Sequence, residues 1–243
     1  MNLHLEISDR LNIISAKLTE AAARSGRSLS DVTLVAVSKT QPPEAVSAAL
    51  AAGQQIFGES RVQEARAKIP AVGGRARWHF IGHLQKNKVR QALPFFELFH
   101  GVDTLELARD IARIATEEGA RPRVLLEVNV AGEASKFGFG PEQLKAQLED
   151  LLALDRLDIE GLMCIPPPQP RAELARRYFV TLRELRDRLE TECRVKLPTL
   201  SMGMSGDFEV AVEEGATIVR VGTAIFGERT GKAWKPQAGM GED

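Results

Sequence analysis

Three groups of residues in this chain have the types and spacing to act together chemically. The first is a single lysine. Lys39 ends the apolar run Leu34–Val37 in the stretch "TLVAVSKTQPPEAV". A lysine amine partly withdrawn from water has a lowered pKa and attacks carbonyl carbon. The second is a pair of loops near the end of the chain. Gly203, Ser205 and Gly206 stand just before one helical stretch, and Gly222 and Thr223 before another. Glycine lets the backbone come close to an anion, and hydroxyls and helix-start N–H groups donate to it. Either loop alone also reads as a plain tight turn; the two together point to a phosphate. The third is Arg220. It alternates with Val219 and Val221, so it points to the opposite face of its strand. An arginine enclosed there requires an anionic or acceptor partner.

These residues need elements to hold them. Short apolar runs recur at 32–37, 55–58, 78–82, 98–102, 124–130, 157–164, 199–202 and 217–221, which makes eight candidate strands. Continuous apolar runs suit strands buried on both faces of a parallel sheet. Helical signals separate them. Pro42 and Pro43 suit a first turn and Gly53 an end. "DTLE" has the form of a capping box with Asp103 as cap and Glu106 reaching back, ahead of Leu107, Ile111 and Ile114. Leu174, Tyr178, Leu182, Leu185 and Leu189 are expected to form one core-facing stripe, and "GDFEVAVEEGA" a short helix closed by Gly215. Ahead of the first strand, Leu3, Ile7, Leu11, Ile14 and Leu18 share a helix face. The pattern predicts a single α/β domain, a (β/α)8 TIM barrel with an extra N-terminal helix. It covers 1–230, with the leading helix at about 1–27, and 231–243 reads as a loosely ordered tail. A doubly wound open sheet is the alternative. In a barrel, Lys39 stands at the carboxyl end of strand one, and the two loops follow strands seven and eight. That is where such barrels place chemistry and phosphate.

Composition narrows the rest. With 44% hydrophobic residues a sizeable core can form, and a net charge of -1 gives no pull toward nucleic acid or anionic membrane. No apolar run approaches the ~20 residues of a membrane span. Two cysteines, Cys164 and Cys193, are too few for a disulfide framework, and with no signal peptide at the N-terminus they are expected to be reduced thiols in a cytoplasmic protein. Cys164 is expected to be buried and inert. "WHFIGHLQKNK" brings His79, His83, Lys86 and Lys88 together, but it lacks a carboxylate or cysteine to complete a zinc set, so it is expected to form a solvated rim. Glu133 and Lys136 follow the fifth strand and are expected to pair, while Lys136 adds a second amine on the same side of the barrel.

A lysine amine, a phosphate cradle and an enclosed arginine can together hold pyridoxal phosphate, the arginine meeting the ring nitrogen. A barrel enzyme forming a Schiff base with a phosphorylated sugar is a weaker alternative. At this point the segments "AVSKTQP", "IFGES-VQEA", "WHFIGHLQKNK", "EVNVAGEASKFGF", "GLMCIPP", "LSMGMSGDFEVAVEEGAT" and "VRVGTAIFGER" matter as a set. With them the chain resembles the pyridoxal-phosphate homeostasis proteins, whose barrel is similar to the N-terminal domain of alanine racemases. The resemblance implies that Lys39 forms the aldimine, that Arg220 faces the pyridine nitrogen, and that Ser205, Gly222 and Thr223 hold the phosphate, with Ser201 in the same shell. It implies an intracellular monomer that carries or releases the cofactor, meets apo pyridoxal-phosphate enzymes transiently, and is not an efficient catalyst. A pyridoxal-phosphate-dependent amino-acid racemase is the alternative. Racemases of that pattern use a tyrosine from an added C-terminal domain as opposite base, whereas the one tyrosine here, Tyr178, falls in a helix. The family usually reads Gly-Glu-Asn where this chain has Gly58-Glu59-Ser60.

Overall fold

The computed structural model describes residues 3–133, 136–228 and 234. Eight strands pair in parallel in chain order: β1 (Thr33–Val37), β2 (Ile56–Glu59), β3 (Arg77–Phe80), β4 (Leu98–Val102), β5 (Arg123–Glu127), β6 (Asp158–Met163), β7 (Thr199–Ser201) and β8 (Ile218–Val221). β8 returns to β1, with Leu34 opposite Val219 and Ala36 opposite Val221. That pairing closes the sheet into a barrel and removes the open-sheet alternative.

Around it lie α2 (Pro43–Ala51), α3 (Val62–Val72), α4 (Val89–Ala92), α5 (Leu105–Glu117), α6 (Pro141–Leu152), α7 (Arg176–Cys193), α8 (Phe208–Glu213) and α9 (Thr223–Phe226). The leading helix α1 (Leu3–Arg24) buries Ile7, Leu11, Ile14 and Leu18 and lies against α2, α8 and α9, so it covers the seam between the first and last units. Arg27 fastens that corner by donating to the carbonyls of Val212 and Ala216 at 3.1 and 2.9 Å. Among the described residues no helix is long and apolar enough to cross a membrane.

The barrel interior is layered. Val35, Leu98, Leu125, Met163 and Ile218 form a small buried apolar cluster. Two residues further along three of these strands, the same face carries His100, Glu127 and Arg220, all buried. The interior therefore turns from aliphatic to polar toward the carboxyl ends of the strands.

Several local expectations shift. The α5 cap is Thr104, whose Oγ1 accepts from the Leu107 amide at 3.1 Å, not Asp103. Asp103 is buried one residue earlier and is engaged by His83 at 2.8 Å. The stripe of α7 runs through Phe179, Leu182, Leu185 and Leu189, with Ala175 buried just ahead of it. Leu174 and Tyr178 fall outside it: Leu174 is exposed in the 3-10 turn ahead of the helix, and Tyr178 is half-buried beside Phe179. Leu3 is likewise exposed on α1. The fifth strand stops at Glu127, where Val128 pairs instead with Phe139 of the returning loop. The C-terminal segment expected to be loosely ordered, 231–243, lies outside the described residues apart from Trp234.

Candidate functional site

A cavity of about 300 Å³ opens at the carboxyl ends of the strands. Lys39, Ser205, Arg220, Gly222 and Thr223 all line it, together with Gly206. Five of the six expected site residues thus meet in one place.

The loops after β7 and β8 form one side. Gly203 has φ 91°, a left-handed conformation, and a Cβ there would come within 2.6 Å of Ala211 Cβ, so only glycine lets this turn close onto α8. Asp207 ties the loop by accepting from the Met204 amide at 2.7 Å. The Ser205 hydroxyl accepts from the amides of Gly222 at 3.2 Å and Ala224 at 3.4 Å. Two main-chain N–H groups and a hydroxyl therefore converge at the start of α9, beside the exposed Thr223. Donors gathered this way suit a phosphate group.

Arg220 lies at the cavity floor and is buried. Its Nη1 donates to Ser201 Oγ, and its Nη2 to the Cys164 carbonyl at 2.9 Å. Both partners are uncharged, and burial lowers its pKa. Ser201, the sixth expected residue, does not line the cavity; it holds Arg220 from behind. His100 Nδ1 lies 2.9 Å from Ser201 Oγ, and His100 Nε2 lies 3.0 Å from His79 Nδ1. A guanidinium only donates, so the Ser201 oxygen accepts from Arg220. The arrangement that satisfies every group then sends the serine proton to His100 Nδ1, and the His100 Nε2 proton to His79. Both rings are neutral: burial pushes His79 down to about 3 and His100 well below the usual histidine range. Burial, with Asp103 nearby, raises the Glu127 carboxyl to about 7.

Lys39 follows β1, the strand paired with β8, and is half-buried, one residue beyond Ser38, whose amide donates to the Gly58 carbonyl at 3.0 Å. Thr40 follows with φ 69°. Beneath this turn lies a buried group of Glu59, Glu64 and Lys68 that the sequence reading did not single out. A glutamate on an otherwise apolar strand was the available signal.

The remaining candidates separate. His79 faces the barrel interior, while His83 is exposed at the rim, stacked on Phe137 at 3.9 Å between ring centres. Lys86 pairs with Glu106 and, at 3.8 Å, with Asp110, so it belongs to the solvated rim. Lys136 and Glu133 pair at 3.6 Å. Cys164 is buried, its thiol pushed up to about 12 by burial, and Cys193 is exposed. Ser60 is half-buried against Gly82 and does not line the cavity. Tyr178 is half-buried on α7, its hydroxyl accepting from Arg177 at 2.7 Å.

Residues 11–230 match the sequence profile of the alanine racemase N-terminal domain. The pyridoxal phosphate homeostasis protein of Aquifex aeolicus (strain VF5) is 46% identical over 222 residues, 91% of this chain and 97% of that protein. The chain belongs to this family. A second member, from Pseudomonas aeruginosa, is 43% identical over 225 residues, 92% of this chain and 96% of that protein. PipY of Synechococcus elongatus PCC7942, in its structure with PLP bound, superposes with a TM-score of 0.82 at 39% identity, covering 91% of this chain and all of that one. Alanine racemase of Clostridium difficile 630 shares the fold at 18% identity and a TM-score of 0.73, and there the match covers 95% of this chain and 59% of the racemase.

Proposed function

We propose that this chain binds pyridoxal 5'-phosphate, holds it covalently through Lys39, and serves its carriage and regulated release without efficient catalysis. One observation carries the reading. An amine, a cradle of phosphate-type donors and a buried guanidinium with only neutral hydrogen-bond partners line a single cavity at the barrel mouth. The residues fit the cofactor. The Ser205 hydroxyl and the Gly222 and Ala224 amides suit its phosphate, and Arg220 suits an acceptor nitrogen that stays unprotonated. When bound, the cofactor supplies an aldehyde that condenses with a primary amine, forming C=N and releasing water, with no net oxidation. Lys39 presents that amine, the phosphate donors orient the ring, and the Ser201–His100–His79 chain keeps Arg220 in place. The naming of the relatives and the PLP-bound PipY structure support the same cofactor.

The carrier reading over a racemase draws on what faces the cavity. Racemisation needs proton exchange on two faces of a substrate carbon. Lys39 supplies one base, and the one tyrosine of the chain lies on α7, bonded to Arg177 and outside the cavity lining. The test incubates the loaded protein with L- and D-amino acids in deuterated water and, separately, with an apo pyridoxal-phosphate enzyme. We expect cofactor delivery and no chiral inversion. Inversion at the usual enzymatic rate of ~1–1,000 per second would overturn the carrier reading.

A further inference from the structure

The cofactor reading leaves the buried cluster beneath Lys39 without a role. Lys68 on α3 has a fully buried side chain. Its Nζ donates to Glu59 Oε1 and Glu64 Oε1, both at 2.7 Å, and to the Ser38 carbonyl at 2.8 Å. The Ser38 hydroxyl donates to Glu59 Oε1 at 2.7 Å, and the Thr40 amide donates to Glu64 Oε1 at 2.5 Å. The residues immediately before and after Lys39 are therefore both held by the cluster. Thr40 is β-branched, yet it sits in the left-handed region at φ 69°, a conformation that persists only where surrounding contacts impose it. Its carbonyl accepts from the Trp234 amide at 3.0 Å, and the Trp234 ring lies 5.4 Å from Lys68 Nζ.

Stability alone is a poor account of this arrangement. Three ionisable side chains are buried together, and Glu59 Oε2 has no hydrogen-bond partner among the described residues. Well-packed apolar side chains of similar volume often stabilise as much or more. What the ions add is geometry: fixed bonds to one carbonyl, one hydroxyl and one amide, all within a residue of Lys39.

We propose that Glu59, Glu64 and Lys68 are positioning residues that clamp Ser38 and Thr40 and so set the direction in which the Lys39 side chain leaves β1 toward the cavity. The inference rests on Lys39 being the linking amine. The test therefore separates binding from linkage. Pyridoxine 5'-phosphate has the ring and phosphate but no aldehyde, so its affinity reports the cradle alone. Borohydride trapping of pyridoxal phosphate on the Lys39 peptide reports linkage. In the cofactor-free full chain, acylation of Lys39 by an amine-reactive ester, referenced to the exposed Lys86 in the same sample, reports the amine itself.

For Lys68→Met and Glu64→Met we expect the trapping rate at Lys39 to fall about tenfold or more while pyridoxine phosphate affinity stays within about twofold and acylation of Lys39 does not fall with trapping, since small misplacements relative to a bound reactant cost large factors in reactivity. Where neither variant folds, Ser38→Ala removes only one hydroxyl and carries the test, with the same pattern at about threefold. Trapping at the parental rate in folded variants would overturn the proposal, and so would a fall in acylation that matches the fall in trapping, which marks a changed amine, or a parallel loss of both linkage and pyridoxine phosphate affinity, which marks a merely structural role. Lys39→Ala is the control: an undiminished adduct there refutes the linking lysine itself, whatever the cluster variants do.

Discussion

Ser205 and Thr223 line the cavity at the start of α9, and on the proposed reading removing both hydroxyls should weaken cofactor binding. Each lost hydrogen bond to a charged group costs about 1.5–3 kcal/mol. Ser205→Ala with Thr223→Val should therefore raise the equilibrium Kd for pyridoxal phosphate by at least ~10²-fold; an unchanged Kd removes these hydroxyls from the site. Ser201 poses a different case, because it touches Arg220 and His100 rather than the cavity. Ser201→Ala leaves a guanidinium donor and a ring nitrogen unpaired in a buried layer, which costs ~1–3 kcal/mol of stability. Urea denaturation of the cofactor-free protein checks this, and a loss below ~0.5 kcal/mol would mean that the hydrogen-bond chain is not intact in solution.

At the scale of elements, the barrel closes only where backbones come near one another. A Cβ on Gly161 of β6 would lie 1.9 Å from the Thr199 carbonyl oxygen of β7, beside the register shift between β5 and β6. Gly161→Ala should cost ~3 kcal/mol or more, because the obstacle is backbone rather than a mobile side-chain end. A denaturation midpoint equal to the parent would show that the strands can part there. The strands themselves were legible, since runs such as Leu34–Val37 are apolar throughout and helical signals divide them. Phase and ends were less so. Tyr178 was placed inward because its spacing from Leu174 looked periodic, but Leu174 lies in a 3-10 turn ahead of α7, and within the helix the neighbouring Phe179 takes the buried place. Asp103 resembled a cap because nothing local reveals that His83, twenty residues away, engages it. The cavity residues were readable because Lys39, Arg220 and the two loops each occupy strand ends. The clamp was not: Glu64 and Lys68 have the spacing of an ordinary surface ion pair, and only the fold brings Glu59 and Ser38 to them.

For the whole molecule, the buried titratable layer makes opposed contributions to stability. Glu59 and Glu127 are raised from 4.5 to about 7, chiefly by burial. Between those values the folded chain keeps protons that the unfolded chain has lost, so their contribution is present below 4.5 and is lost as pH rises toward 7. His79 is lowered from 6.5 to about 3, and His100 is lowered too, so their contribution is present above 6.5 and is lost as pH falls. The two trends offset each other from pH 4.5 to 6.5, and below that window, of these four groups, the histidines alone still differ between the folded and unfolded chain. Unfolding free energy of the cofactor-free protein should be nearly level across the window and drop by about 2–3 kcal/mol per pH unit beneath it. A rise across the window as steep as the drop below it would contradict these assignments. The central claim is that Lys39 carries the cofactor, and one measurement addresses it directly. The loaded chain is reduced with borohydride, digested, and mapped by mass spectrometry, beside Lys39→Ala treated identically. The account predicts one pyridoxyl-phosphate adduct, on the Lys39 peptide, and none in the variant; an adduct chiefly on another lysine, or one that persists in Lys39→Ala, would contradict it.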